Sequence, residues 1–151
     1  MPNTKLHPSA WALDTIKISE GLRLKSYQDT GGVLTIGYGH TGSDVHADTE
    51  ISKEQAEHLL EQDLEEAAEQ IRLLIISRIS VGQFDALCDF VFNLGIGALK
   101  SSTLLRKLNQ GDVKGAAEEF LKWDKAHVKE VLVALPGLTK RRAKEKERFL
   151  S

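Results

Sequence analysis

Glu20 and Asp29 bracket the short segment Gly21-Leu-Arg-Leu-Lys-Ser-Tyr-Gln28, and their settings give the two carboxyls different characters. Glu20 falls at the expected end of a helix, ahead of Gly21, where the negative end of the helix dipole disfavours a further negative charge. Ile18 and Leu22 add desolvation. A carboxyl that keeps its proton suits a general acid. Asp29 opens the turn Asp29-Thr-Gly-Gly32, where free backbone N–H groups and water stabilise a carboxylate. One protonated and one ionised carboxyl are what glycosidic hydrolysis needs: the first protonates the leaving oxygen, the second activates water or attacks carbon. The same residues also read as a surface acid at a helix end and an ordinary turn acid, and spacing alone does not choose. Tyr27, between the acids, offers a ring either to a sugar or to half-buried packing.

These residues sit in a segment that breaks an otherwise helical pattern. Residues 25–41 hold two β-prone runs, Ser26–Gln28 and Val33–Tyr38, around the Gly-rich turn, which predicts a hairpin. Alternation puts Leu34, Ile36 and Tyr38 on one face and Thr35 on the other. From Ser52, apolar Ala56, Leu60, Leu64, Ala67, Ile71 and Ile75 recur at helical period opposite a row of glutamates, which predicts one long amphipathic helix. Ser52-Lys-Glu-Gln55 and Ser80-Val-Gly-Gln83 both have capping-box spacing. The second opens the most apolar stripe, Phe84, Leu87, Cys88, Val91 and Phe92, which should be core and should stop at Asn93-Leu-Gly95. Further helices are expected at 9–19, at 102–109, at 112–123 after Asp112, and at 139–150 after Thr139.

The chain has 151 residues, of which 41% are hydrophobic and 28% charged, with 3 Pro. That excludes collagen-like and disordered classes, and one chain of this length builds one domain. No run of apolar residues is long enough to span a membrane, and residues 1–8 lack the apolar core of a secretory signal, so a cytoplasmic start is expected. The single Cys88 makes neither an internal disulfide nor a zinc site. The net charge of -2 hides an asymmetry: residues 1–75 carry 6 Lys and Arg against 13 Asp and Glu, and the remainder 14 against 9. The basic tract 140–148 is interleaved with Glu145 and Glu147 and has no aromatic platform, so a solvated helix face is expected there and nucleic acid is not. Asp44-Val-His-Ala-Asp48 alternates metal-ligating types but lacks a calcium loop's glycine, and reads as a solvated loop.

Taken whole, Glu20-Gly-Leu-Arg-Leu-Lys-Ser-Tyr-Gln-Asp29-Thr-Gly-Gly-Val-Leu-Thr35-Ile-Gly-Tyr-Gly-His40-Thr resembles the catalytic signature of the phage-type lysozymes, glycoside hydrolase family 24, in the endolysin branch. Gln83-Phe-Asp-Ala-Leu, Phe90-Val-Phe-Asn-Leu-Gly95, Ser102-Thr-Leu-Leu-Arg106 and Gly137-Leu-Thr-Lys-Arg-Arg142-Ala-Lys-Glu145 extend the likeness over nearly the whole chain. The resemblance implies an α+β, mainly helical, two-lobed lysozyme-like fold within a single catalytic domain. A small sheet lobe would cover about residues 20–65 and a bridging helix about 52–77. A helical lobe would cover about 78–151, with the helix 9–19 packed on it. It implies Glu20 as general acid, Asp29 as second carboxylate, and Thr35 as the hydroxyl that holds the nucleophilic water. It also implies an inverting cleavage of the β-1,4 bond between N-acetylmuramic acid and N-acetylglucosamine, without metal or cofactor. His40 would support the site by pairing with an acid such as Asp63, and Arg142 would reach toward Glu20 across the cleft.

The implied partner is peptidoglycan, met by a monomer without stable membrane association. The enzyme would accumulate in the host cytoplasm until a separate holin releases it to the wall. The chain departs from the pattern between Trp123 and Val131, where a Gly-rich turn is usual, and that bears on the cleft rim. The rival expectations are a lytic transglycosylase, against which Asp29 and Thr35 argue, and a non-catalytic glycan-binding protein, against which both acids argue.

Overall fold

The structure is a computed structural model that describes residues 2–29, 31–128 and 131–151. Thr30 of the expected hairpin turn, and Lys129 and Glu130 of the departing segment, lie outside the described residues.

Helix α1 (Ala10–Glu20) starts at Ser9, whose hydroxyl accepts from the Trp11 N–H, and ends at Gly21, whose φ of 71° is one that side chains rarely adopt. Strands β1 (Arg23–Gln28), β2 (Leu34–Gly37) and β3 (His40–Thr41) form an antiparallel sheet in chain order. Tyr27 faces Thr35 across β1 and β2, and Thr35 faces Thr41 across β2 and β3, so Thr35 stands on the central strand. The sheet leads into α2 (Lys53–Leu74), whose full capping box at Ser52 and Gln55 is the one the spacing predicts. Its apolar stripe buries Ala56, Leu60, Leu64 and Ile71 and leaves the glutamate face to water.

Helix α3 (Val81–Leu94) has the second capping box, at Ser80 and Gln83, and closes at Gly95 with φ 90°. It is buried nearly all round, as a helix enclosed by other helices must be. Against it pack α1, α2, α4 (Ile96–Lys100) and above all α7 (Pro136–Leu150). Between these run α5 (Thr103–Asn109), capped by Ser102, and α6 (Val113–Glu119), capped by Asp112. The aromatic core joins them: Phe90 meets Phe120 and Trp123 edge-on at 5.6 and 5.4 Å, and Phe120 meets Phe149 at 5.2 Å. Among the described residues no helix is long and apolar enough to cross a membrane.

Two helix boundaries and one hairpin differ from expectation. The helix expected over 112–123 stops at Glu119 and continues as a 3-10 turn over Phe120–Lys122. Helix α7 starts at Pro136 rather than after Thr139, because proline fits the first helical position, where its missing N–H costs nothing. Thr139 instead ties the helix to the preceding loop, donating from its hydroxyl to Asp124. The unanticipated β4 (Lys125–Val128) and β5 (Val131–Ala134) pair antiparallel as a separate two-stranded sheet, with Val131, Leu132 and Val133 exposed.

Candidate active site

The last residue of α1 and the first residue after β1 are the two expected acids. Glu20 is a quarter exposed, and its Oε1 lies 3.4 Å from Nη1 of Arg141. Its carboxylate also rests on Gly39, whose φ of 76° belongs to the turn between β2 and β3. A methyl group there would stand 3.0 Å from Glu20 Oε2, so glycine makes room for the acid.

Asp29 is exposed at the far end of β1. Its Oδ1 accepts the backbone N–H groups of Gly31 and Val33, both at 2.9 Å, which fixes the carboxyl against the turn. Thr35 is buried at 4% exposure, and its Oγ1 donates to the Val33 carbonyl at 3.0 Å. The hydroxyl hydrogen is thus committed, and its lone pairs are left to accept. Tyr27, Thr35's partner across the strands, is half-buried with the Arg23 guanidinium 4.2 Å over its ring.

His40 opens β3, its Nδ1 2.8 Å from Asp63 Oδ2 and its Nε2 2.9 Å from Asp44 Oδ2. Burial alone would lower its pKa, but the hydrogen bonds and charges of Asp63 and Asp44 outweigh burial and raise it above the ordinary histidine value. Asp44 is held low by the same contact, whereas burial pushes Asp63 up more than His40 draws it down. Asp63 in turn lines a groove of about 310 Å³ that runs from Gly39 and Thr41 to Val91, Phe92, Gly95 and Ile96.

The arginine expectation needs correction. Arg142 does not reach Glu20: it is fully buried, with Nη2 2.8 Å from Asn93 Oδ1 and its Nε against Glu145. The buried stripe of α7 runs through Arg142, Glu145 and Phe149, which turns Arg142 into the core and leaves its neighbour Arg141 facing Glu20. Arg141 is held from behind by Asp89 of α3 through two hydrogen bonds, at 3.0 and 2.8 Å. Burial opposes the Asp89 charge, but bonds from Glu145 and Arg141 outweigh it and hold its pKa low. Burial pushes Glu145 well above its ordinary value, and the neighbouring Asp89 adds to that, while the Arg142 guanidinium at 2.8 Å draws it down. Asp89 and Arg141 are the site's unforeseen members. An acid inside the apolar stripe of α3 was the signal for the first, because a buried charge requires a partner.

A family model described as phage lysozyme matches residues 17–145, which contain Glu20, Asp29, Thr35, His40, Asp89 and Arg141. This chain belongs to the phage lysozyme family. The fold is lysozyme-like, and membership makes the protein a lysozyme-type hydrolase. It is 45% identical over 146 residues to the endolysin of Acyrthosiphon pisum secondary endosymbiont phage 1, covering 97% of this chain and 99% of that one. It is 48% identical over 141 residues to the endolysin of Bacillus phage B103, covering 92% of this chain but only 52% of that longer protein. Among solved structures, the muramidase domain of SpmX from Asticaccaulis excentricus superposes with a TM-score of 0.90 at 37% identity, covering 97% of this chain and 99% of that one.

Proposed function

We propose that this protein is an endolysin that hydrolyses the β-1,4 bond between N-acetylmuramic acid and N-acetylglucosamine in peptidoglycan. The observation that carries this reading is the placement of two carboxyls at the two ends of β1, each held in its own setting. Glu20 sits at a helix C-terminus against Arg141, and Asp29 is clamped through one oxygen by two backbone N–H groups. Glu20 gives its proton to the glycosidic oxygen as the bond to C1 breaks. Asp29 takes a proton from the water that attacks C1 from the opposite face. Thr35, its own hydrogen committed to Val33, accepts a hydrogen bond from that water and orients it. Attack by water from the far side inverts the anomeric carbon. Tyr27 and His40 support the site, the first by packing beside Thr35 and the second by fixing Asp63 at the groove.

The protein acts as a monomer on glycan strands. It collects in the host cytoplasm and reaches the wall once a holin has opened the membrane; fractionation of cells lacking holin, with activity in the periplasm, would overturn that order. The chemistry is tested by mass spectrometry of products from purified peptidoglycan, with Glu20→Gln and Asp29→Asn alongside. Reducing muramic ends are expected from the unmutated protein, and each variant should lose at least about 100-fold in rate. Anhydro-muramic ends would make it a transglycosylase, and intact glycan sedimenting with bound protein would make it a binding module. Proton NMR of the first-formed anomer decides inversion, and a retained anomer would refute it.

A further inference from the structure

A second cavity lies apart from the groove beside Gly39. It lies on the other side of His40 and has a volume of about 500 Å³, within the range that holds small organic ligands. Its floor is aliphatic, made by Ile36, Val45, Ile51 and Leu59. Its rim carries the carboxylates of Asp44 and Glu54, and no Lys or Arg lines it. Asp44 pairs with His40 and is 61% exposed, and Glu54 is exposed in the first turn of α2. The aliphatic floor favours hydrocarbon, and although the His40 imidazole answers Asp44, Glu54 adds a second carboxylate with no lining ammonium or guanidinium, so the rim favours a cation over an anion.

We propose that this cavity binds an alkylammonium group, with its hydrocarbon chain on the aliphatic floor and its charge at the Asp44 and Glu54 rim. The site stands back to back with the groove: His40 lines the cavity, and its other nitrogen holds Asp63, which lines the groove. Two sources share this chemistry. One is the side-chain ammonium of a diamino acid in an unlinked wall peptide, a choice that rests on the proposed function; the other is a free polyamine.

The test needs no lytic activity, so its outcome is separate from that of the enzymatic reading. Methyl NMR spectra of the full chain are titrated with n-hexylamine, n-hexanol and hexanoate at fixed pH and ionic strength. Hexylamine should shift the methyls of Ile36, Val45, Ile51 and Leu59 saturably, and hexanoate should not. Glu54→Lys should weaken hexylamine by at least about fivefold. Leu59→Trp, which fills the floor, should abolish the shifts while the methyls of Leu104 and Leu105 in the distant core keep their positions. Equal binding of hexanol and hexylamine, indifference to Glu54→Lys, or no saturable shift would each overturn the proposal. Nα-acetyl-lysine methylamide and spermidine, titrated in parallel, separate the two sources by which binds more tightly.

Discussion

Replacing Arg141 by methionine removes a cation that two acids face, and the structure says how much stability goes with it. Arg141 is 10% exposed, and Asp89, which takes two of its hydrogen bonds, is fully buried. Arg141→Met leaves Asp89 without its ion pair inside the helical core, beside a second buried carboxyl, Glu145. Removing one partner of a buried pair costs about 3–5 kcal/mol, and access of water to the cleft side of Arg141 puts the loss near the lower end, about 3 kcal/mol. For a chain of this size that is a fall in Tm of about 6–12 °C. The double variant Arg141→Met with Asp89→Asn removes both charges, so it should recover more than half of the loss even though it carries one change more. Thermal unfolding followed by circular dichroism measures all three proteins. If the double variant is no more stable than Arg141→Met, or if Arg141→Met falls by less than about 3 °C, Asp89 does not depend on Arg141 and the reasoning fails.

Two other perturbations follow from the same geometry. Gly39→Ala forces a side chain into left-handed backbone and toward Glu20, so it should cost about 1–2 kcal/mol and lower the lytic rate by more than Glu20-independent destabilisation explains. A fully active Gly39→Ala enzyme would show that Glu20 needs no such room. Because His40 is raised in the folded state, its contribution to stability is full below the ordinary histidine value of about 6.5 and is lost as pH rises through the raised value. Tm should therefore fall over that upper range, and His40→Asn should flatten the fall; an unchanged slope would assign it to other groups.

How much could be read in advance depended on the range of the forces involved. The starts of α1, α2, α3, α5 and α6 were legible because a capping side chain bonds an N–H two or three residues away, well inside a sequence window. Glu20, Asp29 and Thr35 lie in one unbroken stretch, so their order along the chain carried their placement on either side of β1. The choice between Arg141 and Arg142 was not legible, because it depends on how α7 is rotated against α3, and adjacent arginines differ by only one residue's turn of the helix. Hairpin β4–β5 left a trace, the apolar run Val131–Ala134, but a helical neighbourhood and the lack of a glycine turn hid it. The bond between His40 and Asp63 joins β3 to α2, a tertiary contact that spacing alone does not specify.

The helix that ends in Glu20 is anchored by residues that come much later in the chain. Ser9 at its start bonds Asp85 of α3 through both backbone and side chain, and Arg148 of α7 reaches the same Asp85 and lies over the Trp11 ring. During synthesis α1 leaves the ribosome before α3 and α7, so the Asp85 and Arg148 that hold its start arrive only after it has formed its contact with α2 through Lys17 and Glu57. Arg141, which faces Glu20, arrives with α7. Glu20 therefore gains its Arg141 contact only after α7 has been made, so a chain cut off before Pro136 leaves that carboxyl without its ion pair.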